Sequence, residues 1–149
     1  MVNLKNKIKG ALYGVAIGDA FGAPLEFMSA AEIASRYGRV TEMLGGGRHN
    51  SQPGQITDDT QMTLAVGEGI VENPENPVEA TGQRFVAWAK GEPKDIGKTC
   101  KMTIHGAMAA AQKPDCPTEA VWFRAAQNTA KINNGNNAGN CALMRTVYP

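Results

Sequence analysis

The fold class follows from the stretch Leu4-Lys-Asn-Lys-Ile-Lys-Gly-Ala-Leu-Tyr-Gly-Val-Ala-Ile-Gly-Asp19. Its apolar residues recur at the spacing of a helix and form one stripe, which consists of Leu4, Ile8, Ala11, Leu12, Val15 and Ala16. Glycine recurs on the same helix at Gly10, Gly14 and Gly18, although each glycine weakens a helix by roughly 0.5–1 kcal/mol relative to alanine. We therefore expect another helix backbone to approach this glycine face closely. A helix weakened and frayed by glycine is the alternative.

Helical periodicity continues along the rest of the chain. We expect a short helix at 30–37, a second helix that begins after Thr57 and a third that begins after Asn76. Two more helices are expected at about 97–112 and 118–130. Two irregular stretches, 38–56 and 131–140, separate these helices, and a connection as long as the first is often functional. No alternating pattern indicates a sheet, so the sequence predicts an all-α domain.

The charge and the cysteine content exclude several classes of protein. Lys and Arg number 15 and Asp and Glu number 14, so a net charge of +1 predicts no nucleic-acid or membrane partner. No apolar run approaches the ~20 residues that span a bilayer, and the N-terminus lacks the pattern of a signal peptide. The three cysteines are widely spaced, which argues against disulfides and structural zinc and predicts a cytoplasmic location.

Four consecutive oxygen-bearing side chains, Thr57-Asp58-Asp59-Thr60, stand where a helix is predicted to begin. Capping by Thr57 or Asp58 explains one or two of these residues, because helix N-termini favour such side chains. Adjacent carboxylates repel each other, however, and a hard cation such as Mg²⁺ or Mn²⁺ would offset that repulsion. A helix cap and a metal site are therefore both open interpretations.

Glu26 follows the first predicted helix and is flanked by apolar residues. Apolar surroundings can raise the pKa of a carboxyl group and suit it to act as a general acid or base. The alternative is a glutamate that simply turns outward into solvent, as most do. Glu26 is thus a candidate catalytic residue.

The stretch 133–140 is dense in Asn and Gly, which tolerate left-handed backbone conformations. Successive backbone amides in such a loop can form a concave anion site for a phosphate, with Arg145 nearby as a charged partner. A flexible connector is the alternative. The loop is therefore a candidate phosphate site.

Three blocks of sequence together resemble the ordered signature of the ADP-ribosylglycohydrolase family. The blocks are Gly10-Ala-Leu-Tyr-Gly-Val-Ala-Ile-Gly-Asp-Ala-Phe-Gly-Ala-Pro-Leu-Glu26, Thr57-Asp-Asp-Thr-Gln-Met62 and Gly139-Asn-Cys-Ala-Leu-Met-Arg145. Lys94-Asp-Ile-Gly97 also resembles a family segment. The resemblance covers essentially the whole of this chain, but it corresponds to only about the first half of a typical family member. It implies that residues 1–149 are the N-terminal half of an orthogonal helical bundle.

The resemblance also implies a site with two Mg²⁺ or Mn²⁺ ions at the centre of the bundle. Thr57, Asp58 and Asp59 match the first group of metal ligands, and Glu26 matches a catalytic acid that contacts the second metal. Asp95 matches a catalytic position implicated in substrate contact. The residues that match the loop around the diphosphate and adenosine of ADP-ribose are Asn134, Gly135, Asn136, Asn137, Gly139, Asn140, Met144 and Arg145.

The function implied by the resemblance is hydrolysis that removes ADP-ribose from acceptor side chains, with arginine as the first expectation. No Asp follows Asp115, so the second acidic ligand group that the family carries is absent from this chain. One alternative is an ADP-ribose- or metal-binding half-domain without turnover, which needs a second chain or is an inactive fragment. Another alternative is a purely structural protein. We expect exposed apolar surface, and self-association through it, where a second half would pack.

Overall fold

The computed structural model describes residues 3–137 and 139–148, and residues 1, 2, 138 and 149 lie outside this description. The helices of the described chain are α1 (Leu4–Gly22), α2 (Ala30–Tyr37), α3 (Asp58–Glu72), α4 (Pro77–Lys90), α5 (Lys98–Ala110) and α6 (Glu119–Ile132). A short 3₁₀ turn at Ala23–Leu25 follows α1, and another at Leu143–Arg145 follows α6. The described residues contain no strand, so the all-α prediction is confirmed.

Backbone contacts divide the chain into two units, residues 1–60 and 61–149. The division falls inside α3, between Thr60 and Gln61. The first unit therefore holds α1, α2 and the first turn of α3. The second unit holds the rest of α3 together with α4, α5 and α6.

In the first unit, polar side chains set where the helices begin. The Asn3 side chain caps α1 by accepting the Lys5 N–H at 3.0 Å. A reciprocal capping box begins α2, in which the Glu32 N–H donates to Ser29 Oγ at 3.2 Å and the Ser29 N–H donates to Glu32 Oε2 at 2.7 Å. The Ser29 hydroxyl, and after it the Ser29 N–H, stabilises the Glu32 carboxylate and so lowers its pKa.

The irregular stretch predicted at 38–56 is present and has a tight turn near its centre. Gly46 and Ser51 exchange backbone hydrogen bonds of 2.8 Å in both directions. Gly47 has φ +68, and a Cβ at this position would lie 2.7 Å from the Cα of Pro24. Only glycine fits at such a distance, so Gly47 allows the turn to pack directly against the 3₁₀ turn that precedes Glu26.

The core of the second unit lies among α3, α4 and α5. Its buried centre consists of Met62, Val86, Cys100 and Ile104. Partly buried apolar residues surround this centre, namely Phe85, Trp88, Ala89, Ile96, Met108, Trp122, Cys141 and Met144. Burying a side chain of this size contributes about 1.5–3 kcal/mol, so these contacts hold the helices of the unit together.

Neighbouring helices pack closely against two glycines of the second unit. A Cβ at Gly69 of α3 would lie 2.7 Å from the backbone N of Thr81 in α4. A Cβ at Gly82 of α4 would lie 2.8 Å from a ring carbon of Trp122 in α6. Glycine therefore determines how near these helices can come to one another.

The expected close approach to the glycine face of α1 is wrong for the described chain. No described atom of a neighbouring element lies within 4 Å of a Cβ built at Gly10, Gly14 or Gly18. Glycine at every fourth position creates a shallow groove along a helix, but only a facing element can fill that groove. None of the described residues does so.

Large apolar side chains are exposed in both units. Tyr13 and Ile17 are exposed on α1, as are Val71 on α3 and Phe123 on α6. Exposed apolar surface of this kind was expected, and the self-association that it would drive stays a prediction. None of the described helices combines the length and the apolar character that crossing a bilayer requires.

The close packing at Gly69 predicts that Gly69→Ala destabilises the chain. The added methyl would meet the Thr81 backbone, which cannot move as an exposed side chain can, and overpacking of this kind costs about 1–3 kcal/mol. Gly106→Ala in α5 is the matched control, because its Cβ would lie 3.9 Å from the nearest atom and alanine favours a helix by up to about 1 kcal/mol. Urea unfolding followed by circular dichroism measures both. Equal stability of the two variants would contradict the close approach.

Candidate functional site

A carboxylate of α1 holds the N-terminus of α3. Asp19, in the last turn of α1, accepts on Oδ2 the backbone N–H of Thr57 at 2.8 Å and of Thr60 at 3.1 Å. It also accepts both threonine hydroxyls, that of Thr57 on Oδ1 at 2.7 Å and that of Thr60 on Oδ2 at 2.5 Å. The first N–H groups of a helix have no acceptor within the helix, so Asp19 supplies one from outside it.

The motif Thr57-Asp58-Asp59-Thr60 begins α3 as the sequence predicts. Thr57 Oγ1 accepts the Asp59 N–H at 3.4 Å, which is a weak cap beside the shorter bonds to Asp19. Asp58 is only 6% exposed and Asp59 is half-buried, and both lie in the first turn, where the helix dipole favours anions. Capping thus accounts for the threonines. The two acids form an oxygen-rich pair of the kind that hard cations bind.

Glu26 lies directly after the 3₁₀ turn and beside a histidine of the 46–51 turn. Its Oε2 is 4.0 Å from Nε2 of His49, and the Glu26 side chain is 45% exposed against 18% for His49. Phe27 has φ +65, so the chain turns sharply immediately after Glu26. The glutamate is therefore not a residue that simply points into solvent, because a second titratable group stands next to it. Such a pair can hold or pass on a proton.

Sequence analysis missed both Asp19 and His49 as parts of this site. Asp19 was quoted within the first block, but nothing in a sequence indicates a hydrogen bond between residues 38 positions apart. His49 lies in a stretch that was predicted only as irregular. Its rarity is the signal that could have identified it, because the chain has 2 histidines.

The predicted site residues are distributed over both units. Glu26, Thr57, Asp58 and Asp59 belong to the first unit. Asp95 belongs to the second unit, where it is half-buried in the segment between α4 and α5. The residues predicted to bind substrate, 134–145, also belong to the second unit.

The second unit contains a cavity of about 770 Å³, which we call the loop cavity. The predicted substrate residues that line it are Asn134, Asn136, Asn137, Gly139 and Arg145. Gly135, Asn140 and Met144 lie outside the lining. Met144 packs against the core, and its carbonyl accepts the Thr63 hydroxyl at 2.9 Å.

The end of α6 shapes the polar wall of the loop cavity. Asn134 and Gly135 have φ values of +50 and +75, so the chain turns through the left-handed region that its composition favours. The Gly135 N–H donates to the carbonyl of Ala130 at 3.0 Å and closes the helix. The Asn133 side chain donates to Asn137 Oδ1 at 3.2 Å, which holds the wall together.

The charges that line the loop cavity are positive. Its described lining includes Lys98 and Arg145 and no carboxylate. The Arg145 guanidinium lies 5.0 Å from the ring centre of Phe85 and donates to the Met62 sulfur at 3.6 Å. Within the described chain, no acidic side chain forms an ion pair with Arg145. The cavity therefore suits an anionic ligand.

Thr63 ties the segment after the loop to α3. Its hydroxyl donates to the Met144 carbonyl at 2.9 Å, and its own carbonyl accepts the Tyr148 hydroxyl at 2.8 Å. Burial raises the pKa of Tyr148, a hydrogen bond with the Gly67 backbone partly opposes that rise, and the Coulombic effect of Glu68 adds a smaller increase. These two bonds fix the segment that carries Arg145.

Comparison with known proteins finds relatives of this chain along almost its whole length. Residues 1–148 match the sequence profile of the family described as ADP-ribosylglycohydrolase. The chain is 37% identical over 145 residues to an ADP-ribosyl-[dinitrogen reductase] glycohydrolase of Rhodospirillum rubrum, across 97% of this chain and 44% of that protein. It is 35% identical over 147 residues to the ADP-ribosylarginine hydrolase Tri1 of Serratia proteamaculans, across 94% of this chain and 35% of that protein.

A solved structure supports the same relationship. The chain is similar to one in an ADP-ribosylglycohydrolase-related protein complex, with a TM-score of 0.65, 28% identity and coverage of 96% of this chain and 41% of that chain. The resemblance that the three sequence blocks carry is confirmed. The chain spans less than half the length of these relatives.

The hydrogen bond of Tyr148 predicts that Tyr148→Phe destabilises the chain by about 1 kcal/mol at neutral pH, the usual worth of one such bond. Because the pKa of Tyr148 is raised in the folded chain, the stability advantage of the wild type over Tyr148→Phe is fully present below the pKa of tyrosine in an unfolded chain. The advantage is lost as the pH rises through the folded value. Thermal unfolding at neutral and alkaline pH measures both effects, with Tyr13→Phe as the control because Tyr13 is 67% exposed. A pH-independent difference between wild type and Tyr148→Phe would refute this account.

Proposed function

The chain belongs to the ADP-ribosylglycohydrolase family, and from that premise we propose that it forms part of a hydrolase that removes ADP-ribose from modified arginine side chains. The observation that carries the proposal is the loop cavity, whose described lining pairs Lys98 and Arg145 with several asparagines and with no carboxylate. A diphosphate is the part of ADP-ribose that such a lining fits. The choice of arginine is supported by the relative named as an ADP-ribosylarginine hydrolase.

In this proposal the loop cavity binds the nucleotide portion of the substrate. Arg145 and Lys98 neutralise the diphosphate, and the side-chain amides of Asn134, Asn136 and Asn137 donate to phosphate or ribose oxygens. The apolar part of the lining, which includes Phe85 and Trp122, gives the adenine ring a surface to stack on. Gly139 leaves room for the ligand beside the backbone.

The first turn of α3 has a donor set that fits Mg²⁺ or Mn²⁺. Asp58 and Asp59 supply carboxylate oxygens and Thr57 supplies a hydroxyl oxygen, which are the ligands that these hard cations prefer. When bound, such a cation would supply Lewis-acid polarisation and lower the pKa of water. In the proposal, the cation is held by Thr57, Asp58 and Asp59 together with Glu26. No Asp follows Asp115, so the second acidic ligand group that the family resemblance implies has no counterpart in these 149 residues.

The reaction is the hydrolysis of the bond between C1″ of ribose and a guanidine nitrogen. Water forms a new C–O bond to C1″ as the C–N bond breaks, and positive charge develops on the ribose in between. Glu26 accepts the proton of the water and then returns it to the departing guanidine nitrogen. His49, 4.0 Å from Glu26, is placed to share that proton, and Asp95 contacts the substrate.

The wider setting of this site is also proposed. Residues 1–149 form the N-terminal part of the family domain, completed by a second segment or chain or by self-association through exposed apolar surface. The compartment is the cytoplasm, which suits the odd number and wide spacing of Cys100, Cys116 and Cys141. The substrate partner is an ADP-ribosylated protein.

A second candidate function is binding of ADP-ribose or metal without turnover. The observation that favours it is the lack of any Asp after Asp115, which leaves one acidic ligand group in the chain. The loop cavity and the first turn of α3 would then act as a binding site alone. Binding and hydrolysis assays separate the two candidates.

The charge of Arg145 predicts that Arg145→Gln weakens ADP-ribose binding by about tenfold to hundredfold, because hydrogen bonds to charged groups contribute about 1.5–3 kcal/mol. Isothermal titration of the chain with ADP-ribose measures this change. Arg124→Gln is the matched control, since Arg124 is exposed on α6 and does not line the loop cavity. If Arg145→Gln bound as tightly as wild type, the cavity would not be the diphosphate site.

The proposed role of Glu26 predicts that Glu26→Gln slows the release of ADP-ribose from ADP-ribosylarginine by about 10²- to 10⁴-fold, the usual loss when a general base is removed. Release is followed by chromatography in millimolar Mg²⁺. Glu42→Gln, at an exposed glutamate of the 38–56 stretch, is the control. Wild-type binding of ADP-ribose without any release would decide for the binding function and against the hydrolase.

A further inference from the structure

Four donors at the start of α3 surround the Asp19 carboxylate, three on Oδ2 and one on Oδ1. An ionised carboxylate offers about four lone-pair sites. Thr57 N and Oγ1 and Thr60 N and Oγ1 donate to it, with donor–acceptor distances between 2.5 and 3.1 Å. Asp19 is also half-buried, so water is a poor substitute for these donors. The hydrogen bonds of Asp19 therefore tie it to the two threonines at the start of α3.

The bond between the Thr57 hydroxyl and Asp19 has a fixed direction. An ionised carboxylate can only accept, so the hydroxyl proton of Thr57 lies on the 2.7 Å line towards Asp19 Oδ1. The lone pairs of Thr57 Oγ1 are then turned away from Asp19, and one of them accepts the Asp59 N–H at 3.4 Å. A hydroxyl held in this way presents an acceptor oxygen on its open side.

We infer that Asp19 is a positioning residue for a divalent cation at the first turn of α3. It orients Thr57 Oγ1 as a ligand and fixes the turn that carries Asp58 and Asp59, without itself contacting the ion. The inference rests on the metal site of the proposed function. It assigns to Asp19 a role that capping alone does not require, because a cap needs only the two backbone N–H groups.

The substitution Asp19→Asn tests the direction of the Thr57 hydroxyl bond. Asparagine keeps the size of the side chain but replaces one acceptor oxygen with an NH₂ donor. If that NH₂ faces Thr57, the Thr57 hydroxyl must accept from it, and its proton turns towards the cation position. If the NH₂ takes the place of Oδ2 instead, three donors lose their acceptor, namely the backbone N–H groups of Thr57 and Thr60 and the Thr60 hydroxyl. Either arrangement disturbs the ligands.

The readout is the affinity of the chain for Mn²⁺, measured by electron paramagnetic resonance without substrate. We expect Asp19→Asn to weaken Mn²⁺ binding about tenfold to hundredfold, the usual effect of removing a group that orients a metal ligand. In a Thr57→Val background the same substitution should have a much smaller effect, because the oxygen that it orients is gone. Ser29→Ala is the matched control, since it removes the cap of α2 and leaves α3 untouched.

The outcomes separate this inference from the metal site itself. If the wild-type chain bound Mn²⁺ no better than Asp58→Ala, both the metal site and the role of Asp19 would be overturned. Wild-type binding that Asp19→Asn leaves unchanged, or an equal loss in Ser29→Ala, would overturn the role of Asp19 alone. If Asp19→Asn lacks a native circular dichroism spectrum, Thr60→Val replaces it and should weaken binding by up to about fivefold, the equivalent of one hydrogen bond. Unchanged Mn²⁺ affinity of that variant would refute the inference.

Discussion

The architecture of the first unit depends on the hydrogen bonds between Asp19 and the start of α3. A helix must find acceptors for its first N–H groups, and here a carboxylate from the last turn of α1 provides them. Because the acceptor comes from another helix, the first turn of α3 is capped and still rich in carboxylate oxygens of its own. The same bonds also join two parts of the chain that the long 38–56 stretch separates.

The candidate binding groups of the two units have opposite charges. In the first unit, Glu26, Asp58 and Asp59 supply oxygens that attract cations. In the second, Lys98 and Arg145 line a cavity without a described carboxylate, which attracts anions. Each unit therefore carries one class of candidate group, cation-binding in the first unit and anion-binding in the second.

The sequence was sufficient for what depends on local pattern. Periodicity predicted the α2 span and the start of α3, because both depend on residues within one turn of each other. The acceptor of the N–H groups at the start of α3 was not predictable, because Asp19 is 38 positions from Thr57 in the sequence. The glycine face of α1 was misjudged for a related reason: spacing shows that a helix surface is narrow, but not whether another element lies on it. His49 was missed because a loop conformation has no periodic signature.

The two bonds of Thr63 also have a consequence for how the second unit folds. They join residues 81 and 85 positions apart, so they can form only after a large loop of chain has closed. Contacts of such separation form slowly, whereas helices form within microseconds. Arg145 reaches its position beside Phe85 only when this closure is complete. The wall of the loop cavity therefore depends on contacts that close a long loop of chain, and the entropic cost of that closure is one that the helices of the unit do not bear.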